Sequence, residues 1–352
     1  MGKKQYGLFF LFVFAQLSWA DDEEAPNPTA EAAREALLKQ ENDVDATSAL
    51  EEVFQAAEKS FSLLKRGGSS LTYGFDYTYF ADQRLNVVIE NSIIRNFDVN
   101  PSAQHTFTNT FTYDYGLFNN LTLSVRVPLV TRFDTVDEAS VIGVGDVSAT
   151  VRWQPWSLKP GGLTRTLFAT FSSTTGVSPF ETSGDDLSTG SGFFSAGTGI
   201  SVSKVIDPVV LFGTTTLTHN FAVSGLNQIR GGDLLEEVEP GDSLSLSLGF
   251  AYALSYDVSL SASFQSTFTT ETTFGFRDIV DGELTTRSSV QTNAQVTGIM
   301  NFALGIRATP SSIINVNTGF GITEDSPDIL LGLSMPVSFA GFKTPFFGSR
   351  DQ

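Results

Sequence analysis

The stretch Leu71-Thr72-Tyr73-Gly74-Phe75-Asp76-Tyr77-Thr78-Tyr79 places a large apolar or aromatic side chain at every odd position and a small or polar one at every even position. Successive side chains of a β-strand point to opposite faces, so a period of two describes a strand with one greasy and one polar face. The same alternation carries Leu244, Leu246, Leu248, Phe250, Tyr252 and Leu254 against Ser245, Ser247, Gly249, Ala251 and Ala253. It returns in Ile329, Leu331, Leu333, Met335, Val337 and Phe339. Followed along the chain, it predicts twelve strands, at 69–80, 105–117, 121–134, 144–155, 163–176, 190–206, 208–222, 241–256, 258–273, 286–308, 312–323 and 327–339. Two of them, 163–176 and 208–222, carry apolar residues on both faces.

The joins between these strands alternate in length. Short ones fall at 118–120, 157–162, 207, 256–258 and 309–312, and longer ones at 81–104, 135–143, 177–189, 223–240 and 274–285, with a last short one near 324–326. Short turns at one end and long loops at the other are the pattern of an outer-membrane barrel. The strands exceed the roughly 9–11 residues a tilted strand needs to cross a bilayer. In the strand at 286–308, Gln291, Asn293, Gln295 and Asn301 share one face, and Val296, Met300, Phe302, Leu304 and Ile306 the other. A packed soluble core would avoid so many amides and hydroxyls, so the polar set is expected to face a wet lumen and the apolar set lipid. A charge facing lipid at mid-depth costs about 2–4 kcal/mol, and the apolar faces are almost free of charge. Arg165 and Lys204 are exceptions near a short turn, where a long side chain snorkels to the interface. Asn109 is a polar exception that the sequence does not explain. The expected fold is all-β membrane: a 12-stranded antiparallel transmembrane β-barrel preceded by an N-terminal periplasmic helical segment. An even strand count puts both termini beside the short turns, in the periplasm.

The ends of the chain differ from this body. Residues 1–20 read as a signal peptide: Lys3 and Lys4, then the apolar run Leu8 to Phe14, then the small-x-small site Ser18-Trp19-Ala20. Residues 21–68 read as a periplasmic helical segment. Ser48 and Glu51 have capping-box spacing, and Leu50, Val53, Phe54, Ala57, Phe61 and Leu64 fall on one face before Gly67-Gly68 ends the helix. That face needs a partner, either as a plug in the barrel or as an oligomerisation surface, for instance of a trimer. Residues 69–339 form the barrel and 340–352 a periplasmic C-terminal tail. Phe339 ends the last strand on its apolar face.

Composition excludes several classes. The 352 residues carry 21 basic and 39 acidic side chains, a formal charge of −18, and no cysteine. Removal of the leader brings the charge to −20. Such acidity argues against nucleic-acid binding, and the lack of cysteine against disulfides, thiol nucleophiles and thiolate metal sites. The two histidines, His105 and His219, stand alone on separate strands. No HExxH or EF-hand pattern is present, and Gly143-Val144-Gly145-Asp146 lacks the following helix of a dinucleotide fingerprint. The expectation is a non-enzyme without cofactor or metal.

The run Asp114-Tyr115-Gly116-Leu117-Phe118-Asn119-Asn120-Leu121-Thr122-Leu123-Ser124-Val125-Arg126-Val127-Pro128-Leu129 resembles outer-membrane transporters found with phenol and other aromatic degradation (the meta-pathway type). Gly143-Val144-Gly145-Asp146-Val147 and Arg152-Trp153-Gln154 share that resemblance. A helical head before a twelve-stranded barrel resembles, in architecture only, the channel of Fap-type functional-amyloid secretion. The resemblance implies a passive or gated channel for small hydrophobic or aromatic solutes in the bacterial outer membrane. The alternatives are a polypeptide secretion channel gated by the N-terminal helix, and a closed structural or adhesin barrel. Charged side chains on the polar faces are the lumen candidates: Asp76, Asp114, Arg126, Arg132, Asp146, Arg152, Arg307 and Asp328. Arg126, Asp146 and Arg152 are the expected constriction, with lumen salt bridges as the plainer role for the set.

Overall fold

The computed structural model describes residues 63–337 apart from 91–92, 136–138, 157–161, 183–186, 207, 231–232, 256, 281–282 and 310–311. The expected leader, the helix face at Leu50, Val53, Phe54, Ala57 and Phe61, and the tail at 340–352 lie outside these residues. Every regular element among the described residues is a strand.

The wall starts with β1 (Ser69–Glu90), β2 (Ile93–Phe118) and β3 (Leu121–Asp134). The fourth position is split into β4 (Ser140–Val144) and β5 (Ser148–Trp153), both paired with β3. β6 (Leu163–Ser172), β7 (Ser195–Ile206) and β8 (Val209–Asn220) follow. The chain then leaves the wall as β9 (Val223–Arg230) and β10 (Asp233–Glu239) and returns as β11 (Ser243–Ala253) and β12 (Val258–Thr269). A second excursion, β13 (Thr273–Val280) and β14 (Glu283–Gln291), precedes β15 (Gln295–Thr309), β16 (Ser312–Gly321) and β17 (Ile329–Val337). β17 pairs antiparallel with β1, from Leu71↔Val337 to Tyr79↔Ile329, and closes the ring. Twelve strand positions therefore make a closed antiparallel barrel, as the alternation predicts. Closure gives every wall strand but β4, which pairs with β3 alone, two hydrogen-bonded neighbours, as hydrocarbon requires because it offers no water to an open edge.

The pleat sorts the side chains as expected. Along β11 the even residues Leu244, Leu246, Leu248, Phe250 and Tyr252 are exposed on the outer face, Leu248 at 68%. The odd residues between them point into the barrel. An unbroken exposed band of this kind belongs against another apolar phase. Asn109 has a partner on the outer face: the Tyr73 hydroxyl donates to its Oδ1 at 2.6 Å. Arg165 lies over the Trp156 ring, 5.8 Å from the centroid, beside a short turn.

The structure corrects several boundaries. The expected loop at 81–104 is a continuation of the β1–β2 hairpin, paired from Ala81↔Ala103 to Glu90↔Ile93. The loops at 223–240 and 274–285 contain β9, β10, β13 and β14, which form a separate four-stranded sheet at the long-loop end. The expected strand at 286–308 is two elements, so Gln291 belongs to β14 and Asn293 to the connection, while Gln295 and Asn301 stay on the inner face of β15. The strand at 144–155 is broken at 145–147, and that at 190–206 starts at Ser195. The sequence pattern missed these because polar, alternating loop residues look like polar, alternating wall residues; only the pairing partner separates them.

Candidate functional site: the barrel lumen

The inner wall has two unlike parts. On β1 to β5 it carries Asp76, Asp114, Arg126, Arg132, Asp134 and Arg152. From β6 to β17 the inner face of the wall strands has one charged residue, Arg307, at the short-turn end of β15. A recess on this second part is lined by Thr214, Ser247, Ser261, Ser263, Asn301 and Asn317 among others, with a volume of about 360 Å³.

The charged part is organised by register. Ser70, Asp114 and Ser124 are cross-strand neighbours, and Thr122 stands opposite Arg152. Arg152 Nη2 reaches Asp114 Oδ1 at 2.5 Å, and its side chain is 8% exposed. It also donates to Ser124 Oγ at 2.5 Å, while the Ser124 hydroxyl donates to Asp114. A buried, multiply bonded pair of this kind contributes little net charge to the passage. Arg126 differs from it. Its side chain is exposed to the lumen, its Nη2 lies 3.5 Å from Thr110 Oγ1, and no carboxylate among the described residues pairs with it. The expected trio is thus partly assembled: Arg126 and Arg152 line one recess of about 460 Å³, which also includes Asp76.

Asp146 is placed elsewhere, in the 145–147 interruption. Its Oδ1 accepts from Gly176 N at 3.0 Å, and its Oδ2 from Ser191 N and Oγ at 2.6 and 2.7 Å. The carboxylate fixes the 173–194 loop to the wall. Thr175 Oγ1 donating to Gly145 O and Thr189 Oγ1 donating to Val144 O complete that seam. Arg132 sits on β3 towards the long-loop end, opposite Val141. Asp328 lies in the β16–β17 connection, where its Oδ2 accepts from Ala81 N at 2.7 Å.

Two inward rings were not among the sequence candidates. Phe168 of β6 and Phe212 of β8 stand on the polar face, and the apolar residues on both sides of those two strands were the visible signal. Each lies over a neighbouring glycine. A Cβ on Gly199 would come within 2.4 Å of the Phe168 ring, and one on Gly249 within 2.5 Å of Phe212 Cζ. Phe212 packs with Val210 and Ala251, all buried, as an apolar patch on the inner wall towards the short turns.

The chain reaches β1 from the inner side. Leu64 N donates to the buried Thr122 Oγ1 at 2.9 Å, and Lys65 O lies where a Cβ on Gly116 would collide with it at 2.1 Å. Both His105 and His219 are on the outer face. His105 Nδ1 lies 2.9 Å from the Tyr77 hydroxyl, and His219 Nδ1 2.8 Å from Asp242 Oδ1. Among the described residues, neither ring is hydrogen-bonded to a serine.

No family model matches the chain. Among solved structures, an outer-membrane channel from Pseudomonas putida F1 aligns at a TM-score of 0.54 with 15% identity, over 79% of this chain and 98% of that one. The translocator domain of the autotransporter NalP from Neisseria meningitidis aligns at 0.43 with 10% identity, over 88% and 98%. A variant of the monoaromatic hydrocarbon channel TodX of Pseudomonas putida aligns at 0.39 with 13% identity, over 80% and 92%. At these identities the likeness concerns the backbone, and the first of the three carries it: this chain has the fold of an outer-membrane β-barrel.

Proposed function

We propose that the protein is an outer-membrane channel through which small hydrophobic or aromatic solutes pass down a gradient, with both chain ends in the periplasm. The observation that supports it is the combination of a closed ring, an exposed apolar outer band and a hydroxyl- and amide-lined inner wall with recesses. The similar Pseudomonas barrel is an outer-membrane channel, and the aromatic solute class follows from the resemblance at 114–129. In this reading residues 1–20 direct export, and the long-loop sheet faces outward. Planar-bilayer recording of the mature chain tests it: stepwise single-channel currents are expected, and a silent, correctly folded barrel would favour the closed adhesin reading.

A gating role for the segment at 21–68 has its own support. The hydrogen bond from Leu64 N to Thr122 holds the chain at Leu64 against the inner wall, and the inner patch of Val210, Phe212 and Ala251 offers an apolar seat for the face at Leu50, Val53, Phe54, Ala57 and Phe61. Deletion of 21–62 is expected to raise conductance several-fold. Unchanged conductance would leave the segment to oligomerisation, which cross-linking of the full-length protein detects.

A further inference from the structure

We propose that the recess around Arg126 is a binding site for a small aromatic monocarboxylate, a solute class that rests on the channel reading above and narrows it. Three features of one recess of about 460 Å³ carry the proposal. The first is an uncompensated cation. Arg126 is exposed to the lumen and touches Thr110 at the outer limit of a hydrogen bond, whereas Arg152 in the same recess is held by Asp114 and Ser124. A guanidinium presents parallel N–H donors that match a carboxylate. In a narrow passage with low-dielectric walls, such a charge concentrates anions more strongly than on an open surface.

The second feature is a ring. Phe168 interrupts an inward row of Thr164, Thr166 and Thr170, and Gly199 leaves the space it occupies. An aromatic face on a polar wall offers an arene a contact that threonine does not. Ser148 and Arg152 of β5 stand opposite Arg126 and Phe168, so the two groups are offset by four residues, about 13 Å along the strand. Both line the same recess, the ring resting over Gly199 of β7, which suits a solute with its charge at one end and its ring at the other. The third feature sets the charge. Arg126 is the one cation of the recess without a described carboxylate partner, so a single positive charge is open to a ligand. A monoanion is therefore matched better than phosphate or sulfate. Thr112 and Thr150 also line the recess, the Thr150 hydroxyl lying 2.9 Å from that of Thr170.

The test uses the mature full-length chain in detergent, titrated with benzoate and with its neutral isostere benzamide, binding being read by calorimetry. Benzoate is expected to bind about tenfold more tightly than benzamide, the scale of a charge-assisted hydrogen bond. Arg126→Gln removes that preference, Arg126→Lys keeps part of it, and Phe168→Leu weakens benzoate while leaving acetate unchanged. Equal binding of benzoate and benzamide, or benzoate binding indifferent to Arg126→Gln in a variant that keeps its folded gel mobility, overturns the proposal. Bilayer recording with benzoate as the sole anion separates the two readings. Arg126-dependent binding without current refutes the channel and keeps the site; current without Arg126-dependent binding refutes the site alone.

Discussion

The two parts of the inner wall are built from the same pleat and face the same passage, yet they are chemically unlike. The β1–β5 part holds Asp76, Asp114, Arg126, Arg132, Asp134 and Arg152, whereas the inner wall from β6 to β17 presents mainly hydroxyls, amides and glycines, with the rings of Phe168 and Phe212 among them and Arg307 as its one charge. A lumen needs only polar side chains to stay wet, and the second part supplies that with Ser, Thr and Asn. Charges add a cost of desolvation wherever they are buried, so their gathering on neighbouring strands is a specialisation of that side. Within it, Arg152 and Arg126 show two outcomes for one residue type. The first is consumed in a hydrogen-bonded cluster that fixes the wall, and the second remains open to the passage.

Four experiments probe this contrast. Removing one member of the wall cluster has the largest expected effect. Arg152→Ala leaves Asp114 with the Ser124 hydroxyl but without its cation, in a site 13% exposed at the aspartate, at a cost of about 3–5 kcal/mol, to be read as a lowered urea midpoint in refolding titrations. The contrast between faces comes next. Leu248→Arg sets a charge on the lipid side and is expected to cost about 2–4 kcal/mol, while Ser247→Arg, one residue away on the neutral inner wall, folds normally and shifts ion preference towards anions. Equal damage from both would mean that the outer band does not meet lipid. Glycine at ring-covered positions is a smaller test: Gly249→Ala collides with Phe212, with Ser263 Cβ and with the Ala262 carbonyl and costs about 1–3 kcal/mol, and adding Phe212→Leu restores only the part owed to the ring. The smallest expected effect is at Tyr73→Phe, which strands Asn109 in the apolar band for about 1 kcal/mol, whereas Tyr73→Phe with Asn109→Leu recovers it.

The wall was legible in the sequence because its signal is local. A period of two with apolar outward residues marks each crossing segment by itself, and all twelve predicted positions carry a strand of the ring. The β9-β10-β13-β14 sheet was not legible. Its two hairpins meet through pairs such as Leu234↔Arg277, which are 43 residues apart and have no pattern at either end that names the other. The lumen was partly legible: parity placed Arg126, Arg152, Asp114 and Asp76 inside, but it could not say which charges meet. Asp146 also has the right residue type near the right place, and a one-residue excess in the fourth strand, set by Leu129↔Val144 and Arg126↔Ser148, carries it into a loop seam instead.

Residue type and a fixed alternation already settle, without any partner, which side of each strand is greasy, how many crossings the chain makes and where its charged side chains stand along them. The tertiary structure alone decided that Arg152 is neutralised while Arg126 is not, that Phe168 and Phe212 find room over glycines of the next strand, and that Asn109 is satisfied by Tyr73. Those outcomes depend on cross-strand register, and register is set only when the ring closes.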